Sequence, residues 1–409
     1  MESFLNYITE QKNTHMTHIE DKLLYGGVNG TRQAINALRS LRDMLRGSHE
    51  GKVSVKWDGA PAIFCGTDPR DGQFFVAKKG IFNKNPKVYK TNSEIDADTS
   101  GDLASKLKLA LAHLPELGIK GVIQGDFLFS KSDLKMETYD GEKYLTFHPN
   151  TIVYAVPANS DIATTIKRAK IGIVWHTSYS GRSFESMTAS YGVNVSNFKS
   201  SANVWSQDAM LRDLTNATLS KEDTETINEY LSQIGKLFNK VAGSTLRELE
   251  SNQELAQHIE QFNNTYVRAG TVIINTRAHT KKVQNWIAKK YRAEAQKRKT
   301  SAGKEAQYKK AEQLLSFFSP ANTMSLINLF ELQKLIVLVK LKLINKLNQL
   351  AKLKTFVKTK QGFKVTGQEG FVAIDTLGGD AVKIVDRMEF SYNNFSPDIL
   401  KGWDKPTRK

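Results

Sequence analysis

The 409 residues are 40% hydrophobic and 24% charged, a balance that excludes an extended disordered chain and leaves apolar mass for two or three cores. The single cysteine, Cys65, excludes an internal disulfide framework and a multi-cysteine zinc site, and points to a reducing, cytoplasmic compartment. A net charge of +16 favours polyphosphate or nucleic acid as partner, bound in a salt-dependent way, although a basic surface also serves solubility. No apolar run reaches the roughly 18 residues of a membrane span, and the opening MESFLNYITEQKN lacks the basic-then-apolar pattern of a secretion signal.

In chain order, residues 1–50 read as a helical segment. TRQAINALRSLRDMLRG places Ile35, Leu38, Leu41, Met44 and Leu45 on one face and stops at Gly47. Residues 51–202 switch to strands and turns: KVSVKW, PAIFCG, GQFFVAKKG, KGVIQGDFLFS, KYLTFHPNTIVYAVP and KIGIVWHTSY, punctuated by Gly, Pro, Asn and Asp. One helix interrupts them, GDLASKLKLALAHLPEL, with Leu103, Leu107, Leu111 and Leu114 along one face. Residues 203–358 turn helical. Ser220 stands three residues before Asp223 as a cap, and Ile227, Leu231, Ile234 and Phe238 form a stripe. Ser319 and Pro320 are expected to open a long helix carrying Leu329, Leu332, Ile336, Val339, Ile344 and Leu347, with Lys334, Lys340, Lys342 and Lys346 between them. The lysines exclude a membrane span. Residues 359–409 return to strand pattern in GFVAID and AVKIVDRMEF.

The segment VSVKWDGAPAIF poses the functional question. Alternation puts Val53 and Val55 on one side of a strand and Ser54 and Lys56 on the other. A lysine there reads either as a solvated face residue or as a reactive group at the mouth of a sheet, with Asp58, Gly59 and Pro61 forming the turn beyond it. The K-x-D-G pattern resembles the nucleophile motif of the covalent nucleotidyltransferases: ATP- and NAD-dependent DNA ligases, RNA ligases and mRNA capping enzymes. Later segments resemble that superfamily's further motifs in the same order. FFVAKKG offers Lys79 and Gly80, VIQGDFLF offers Asp126 where glutamate is usual, EGFV runs from Glu369 to Val372, and AVKIVDR offers Lys383. Phe147, Tyr154 and Trp175 are the candidates to stack on the nucleobase.

There are departures. Pro61 replaces a frequent arginine or asparagine, and Val385 stands where a second lysine is usual, a loss for which Arg387 is the candidate replacement. The helical stretch between the third and fourth motifs is long for the superfamily, and 26 residues follow Lys383, too few for the OB fold that DNA ligases and capping enzymes append. The resemblance therefore implies an α+β, antiparallel-sheet adenylation domain with a small N-terminal helical piece, a large helical insertion and no C-terminal OB fold, closer to an RNA ligase than to a DNA ligase. The stretch from Thr14 into KWDGAPAIF also resembles uncharacterised tailed-bacteriophage proteins, which implies a host cytoplasm.

A lysine amine, with an unperturbed pKa of about 10.4, needs neighbours that disfavour its charge before it is nucleophilic. The resemblance implies that Lys56 attacks the α-phosphorus of ATP, with Asp58 beside it, and that AMP passes to a nucleic-acid end. Lys79, Lys383 and Arg387 would clamp phosphates, Gly59 and Tyr154 would border the nucleotide, Asp126 would bind ribose hydroxyls, and Glu369 would hold Mg²⁺. Apart from the motif order, each carboxylate also reads as an ordinary turn or strand-end residue.

The helical stretch is strongly basic between Arg277 and Lys310. Lys289, Lys290, Arg292, Lys297, Arg298 and Lys299 are its candidate nucleic-acid contacts, with Trp286, Tyr291 and Tyr308 among them. The other reading is a solvated basic helix whose aromatics lie in the core. A rival of a different class follows, a catalytically silent relative that binds nucleic acid through this block. HMTHIED groups His15, His18, Glu20 and Asp21 as a weak metal pattern, whereas His148 and His176 read as structural histidines and Cys65 as a small buried hydrophobe.

Overall fold

The structure, a computed structural model, describes residues 16–47, 52–211, 218–351, 353–374 and 381–402. His15 lies outside them. The chain is mixed α+β, 49% helix and 23% strand.

Two N-terminal helices, α1 (Lys22–Tyr25) and α2 (Gly27–Met44), lead into β1 (Lys52–Lys56), β2 (Ala62–Thr67) and β3 (Phe74–Ala77). Then come α3 (Asn92–Asp98), α4 (Gly101–His113), β4 (Val122–Ser130), β5 (Lys135–Tyr139), β6 (Glu142–Phe147) and β7 (Ile152–Pro157). Next are α5 (Asp161–Arg168), β8 (Ile171–Ser180), β9 (Thr188–Tyr191) and β10 (Val204–Asp208). The helical block comprises α6 (Lys221–Phe238), α7 (Gly243–Ser251), α8 (Gln253–Arg268), α9 (Thr276–Gln296), α10 (Ser301–Leu315) and α11 (Thr323–Asn348). The chain returns through β11 (Lys354–Thr359), β12 (Gly362–Val365), β13 (Gly370–Ile374), β14 (Ala381–Ile384), α12 (Arg387–Phe395) and β15 (Ile399–Leu400).

The strands form three sheets, in the orders β1-β13-β14, β10-β8-β4-β2-β3 with β9 on β8, and β12-β11-β7-β6-β5 with β15 on β11. Their paired neighbours run antiparallel apart from β8 and β10. The first sheet is short and both of its outer edges are covered. Val55 N–H donates to the Ala209 carbonyl at 2.8 Å and Leu211 N–H to that of Val53 at 2.8 Å, while Ile19 and Lys383 pair across the other edge. Unpaired backbone groups in a buried sheet would each forfeit a hydrogen bond, so these short stretches complete the ladder.

Val53 and Val55 point into a core shared by α2, the helical block, β13 and β14, as the alternation of KVSVK requires. The same core takes Leu329, Leu332, Ile336, Val339, Ile344 and Leu347 from α11 and Ile227, Leu231 and Ile234 from α6. Each such side chain removed from water contributes about 1.5–3 kcal/mol, so residues 16–45 are stabilised as part of the helical block.

Several boundaries differ from expectation. Ser319 and Pro320 make a turn, and the long helix begins at Thr323 after Asn322. The stretch 203–358 is bounded by strands: β10 pairs with β8 and β11 with β7, so the helical block proper runs from Lys221 to Asn348. The segment after Lys383 is helical, because Asp386 accepts the N–H groups of Met388 and Glu389 and caps α12.

Candidate functional site

Lys56 ends β1 and pairs in register with Gly370, the first residue of β13. Two residues earlier Ser54 stands opposite Val372, which in turn stands opposite Lys383 on β14. Directly opposed residues share a face, and so do residues two apart. Lys56 and Lys383 therefore project from the same side of this sheet. Glu369, immediately before β13, completes the group through an ion pair between its Oε1 and Lys56 Nζ. Gly370, at φ 156°, lets the start of β13 lie close against the end of β14: a Cβ there would come within 2.5 Å of Val385 Cγ2. Val385, expected to cost the site a phosphate-binding cation, is instead buried packing against Gly370.

The turn after Lys56 is held from below. Asp58 is buried and accepts from Asn150 Nδ2 at 2.7 Å and from the N–H groups of Thr151 and Ile152 at 2.7 and 2.8 Å. Its own N–H donates to the Tyr154 hydroxyl at 2.7 Å. Burial pushes its carboxyl above the usual range while these donors and Lys56 pull it back. Asp58 thus positions Lys56 by tying the end of β1 to the β6–β7 turn. Gly59 is required by close packing, since a Cβ would lie 2.6 Å from that of Asp126. Beyond it, Phe127 N–H donates to the Pro61 carbonyl at 3.0 Å and Ala60 N–H to that of Phe127 at 2.9 Å, which fixes β4 alongside.

Asp126 enters from β4, one-fifth exposed. Burial, with Asp58 adding to it, pushes its carboxyl up to about 7 against the pull of Lys56 and Lys79. Lys79, exposed at the start of a short helical turn, therefore reaches the site electrostatically. Glu369 behaves alike: burial raises it to about 7 against the opposing Lys56, with Asp58 and Asp126 adding to the rise. Burial, then the neighbouring Lys56, lowers Lys383, while Glu369 opposes. Three carboxyls and three lysines thus meet around the end of β1.

Other expected residues lie elsewhere or do something different. Arg387 turns away from the lysines and binds Asp21 Oδ2 at 2.7 Å, Glu20 Oε1 at 3.5 Å and the Asn264 side chain. Phe147 on β6, Tyr154 on β7 and Trp175 on β8 are fully buried in hydrophobic cores, so none presents an open face to a base. Tyr154 instead supports Asp58 and packs against Trp57 with ring centroids 4.9 Å apart. In the basic block, Tyr291 is buried and hydrogen-bonds Glu254, and Trp286 packs on Phe262. Lys290 is bound by His258 and Gln261, and Lys297 by Glu294, whereas Lys289, Arg292, Arg298 and Lys299 are exposed. In HMTHIED, Glu20 and Asp21 face Lys340 and Arg387 rather than a shared metal position.

One residue of the site reads from the sequence as merely structural. His176 on β8 sits with Nε2 3.8 Å from Asp126 Oδ2 and Nδ1 2.8 Å from Thr177 Oγ1. Burial, with Lys56 nearby, lowers it to about 4, which keeps it neutral near pH 7. Nothing in the local pattern GIVWHTSY separates it from other strand histidines; the antiparallel pairing of β8 with β4 brings it there.

Among the described residues no three candidate ligands converge as a metal site. Asp126 and Glu369 nonetheless fit the sparse protein contribution that Mg²⁺ usually takes, one or two carboxylates with waters and substrate phosphates supplying the rest.

The chain belongs to DUF6267, a family of unknown function. The match runs over residues 13–398, so the strands that carry Lys56, Asp126, Glu369 and Lys383 and the helical block between them fall within one family pattern. No curated protein and no solved structure matches the chain.

Proposed function

We propose that this protein is an ATP-dependent nucleotidyltransferase that forms a lysyl-AMP intermediate on Lys56 and seals or adenylylates nucleic-acid ends, in the manner of RNA ligases. The observation that carries the reading is the contact of Lys56 with Glu369, with Lys383 on the same face of the sheet and Asp126 alongside. These residues, from four separated segments, stand in the motif order of that superfamily.

In the reaction the Lys56 ammonium gives a proton to Glu369, whose pKa of about 7 suits it to accept one. The free amine attacks the α-phosphorus of ATP. An N–P bond forms, the bond from that phosphorus to the bridging oxygen breaks, and pyrophosphate leaves with the electron pair. Lys79 and Lys383 hold the charge that develops on the phosphates. Asp126, with neutral His176 beside it, accepts hydrogen bonds from the ribose hydroxyls. Glu369 and Asp126 would hold Mg²⁺ through its waters, which leaves the Glu369 carboxylate free to take the proton, and the ion would supply further neutralisation of the phosphates. A 5′-phosphate oxygen then displaces Lys56 from AMP, and a 3′-hydroxyl displaces AMP from that end. The test is the intact mass of the protein after incubation with ATP and Mg²⁺: one acid-labile AMP is gained, and none in Lys56→Ala. No gain with any nucleotide or NAD, in a folded sample checked for prior adenylylation, refutes it.

The second reading is a catalytically silent protein that binds nucleic acid through the helical block. It draws on the engagement of Arg387 by Asp21 and on the burial of all three stacking candidates. Salt-sensitive nucleic-acid binding without any lysyl-AMP is its signature.

A further inference from the structure

The helical block contains a groove that the chemistry at Lys56 does not use. Helices α9 and α10 pack as a hairpin joined by the exposed turn Lys297–Thr300. α9 buries Val283, Ile287, Tyr291 and Ala295, a stripe at four-residue spacing that turns the next stripe, Ala288 and Arg292, towards α10. α10 answers with Tyr308, Ala311, Glu312 and Leu315. Together they line a groove of about 470 Å³, within the roughly 300–1,000 Å³ range of small-ligand sites. Its floor is apolar, from Ala288, Ala311 and Leu315, and Tyr308 on its wall is 45% exposed.

The surroundings are cationic. Arg292 lines the groove together with Tyr308 and has no carboxylate partner among the described residues. Arg298 and Lys299 stand exposed in the turn, Lys304 lies one helical turn before Tyr308, and Lys289 is exposed on α9. Against them, Glu294 is paired with Lys297, Glu305 is exposed one turn before Tyr308 next to Lys304, and Glu312 stands one turn beyond Tyr308 on the groove itself. An acid beside an apolar floor disfavours a phosphate in the groove, while the cations around its mouth favour one outside it.

We infer that this groove binds single-stranded nucleic acid, with an unpaired base stacked on Tyr308 above the Ala288–Ala311–Leu315 floor and the flanking phosphates on Arg292, Lys299 and Lys304. Apolar and aromatic surface accepts the face of a base, and arginine and lysine take the backbone charge. In a duplex the faces are covered by neighbouring base pairs and cannot enter. As the polynucleotide subsite of the transferase this rests on the reading given above; as a binding site it stands on the groove alone.

The test is fluorescence anisotropy of a labelled oligouridylate, an oligothymidylate and a duplex of equal length, with the full-length protein. Either single strand binds more tightly than the duplex, and the difference between the two identifies RNA or DNA as the preferred polymer. Tyr308→Ala weakens single-strand binding about ten- to one-hundred-fold while Tyr308→Phe retains it, and Arg292→Ala lowers the salt dependence by about one phosphate contact. Duplex binding equal to that of single strands, or Tyr308→Ala binding like the parent, overturns the inference. Circular dichroism checks the fold of each variant. Should Tyr308→Ala fail to fold, an Arg292→Ala salt dependence equal to the parent's overturns the inference in its place. No lysyl-AMP on the parent protein, with Tyr308-dependent binding intact, sinks the transferase reading alone; lysyl-AMP formation with binding that does not depend on Tyr308 sinks the groove alone.

Discussion

Two clusters of buried charge can be compared, one at the end of β1 and one behind it, where Glu20 and Asp21 meet Lys340 and Arg387. In the second, Lys340 and Glu20 side chains are 1% and 7% exposed and joined at 2.7 Å, and Arg387 clasps Asp21. Burial pushes Glu20 up, but Lys340 and Arg387 overcome it and hold the carboxyl below its usual range. Asp21 goes the other way, raised by burial and by Glu20 and Glu260 in spite of Arg387. This cluster is closed: its cations are matched to specific oxygens and have nowhere to go. At the end of β1, Lys56 is 31% exposed, its partner Glu369 titrates near neutrality, and Asp126 is raised likewise against the pull of Lys56 and Lys79. The Glu20–Lys340 cluster clamps the N-terminal helices to α11 and α12. The cluster at the end of β1 leaves Lys56 partly exposed beside a carboxyl that titrates near neutrality, the arrangement that the proposed group transfer requires.

Lys56→Ala gives the largest expected effect and the sharpest contrast. All gain of AMP is lost, yet stability to denaturant changes by less than about 1 kcal/mol, because Glu369 takes up a proton when its partner goes. A loss of several kcal/mol would mean that the Lys56 pair is structural after all. Lys340→Met inverts the pattern: removing one partner of a buried pair costs about 3–5 kcal/mol, read by chemical denaturation, while adenylylation of the folded fraction persists. Asp58→Asn is intermediate. One carboxylate oxygen takes both the Thr151 and Ile152 N–H groups and the other takes Asn150 Nδ2, and an amide turns one of these acceptors into an NH₂ group facing a donor, so unfolding free energy falls by about 1–3 kcal/mol, and the rate of lysyl-AMP formation falls with it as Lys56 loses its support.

The pH dependence is the finest of these tests. With Glu369 near 7, the rate of lysyl-AMP formation falls about tenfold from pH 6 to pH 5 and levels off above pH 8. Glu369→Gln is slower and loses that dependence. A carboxyl raised by burial binds its proton more tightly in the folded chain, so the stability from Asp126 and Glu369 is complete below the ordinary carboxylate range and fades as pH rises through about 7. Thermal melts of the parent and Asp126→Asn between pH 4 and 8 check the sign: the parent loses stability over that window and the variant loses less.

Much of the site is legible in the sequence because its parts are local patterns. The strand of Lys56, the turn at Asp58 and Gly59, the strand of Asp126 and the cap at Ser220 each follow from alternation, turn residues or spacing. Arg387 and Tyr154 mislead for the same reason. A cation four residues after Lys383 and an aromatic on a later strand suit a phosphate clamp and a base platform as sequence, but Arg387 opens a helix facing Asp21 and Tyr154 lies beneath Asp58. The aromatics of the basic block divide likewise, Tyr291 inward and Tyr308 outward, by which side of the hairpin each meets.

By itself the sequence determined the mixed α+β composition, the position of Lys56 opposite the core side of its strand, and the apolar stripes of α6 and α11, since all three depend on periods of two or 3.6 residues that neighbours along the chain express. Only the tertiary structure decided that Glu369 touches Lys56, that His176 stands beside Asp126, and that Lys340 is consumed by Glu20. Those contacts join segments far apart in the chain. They depend on strand order, on register across β1, β13 and β14, and on which carboxylate each buried cation finds when water is removed.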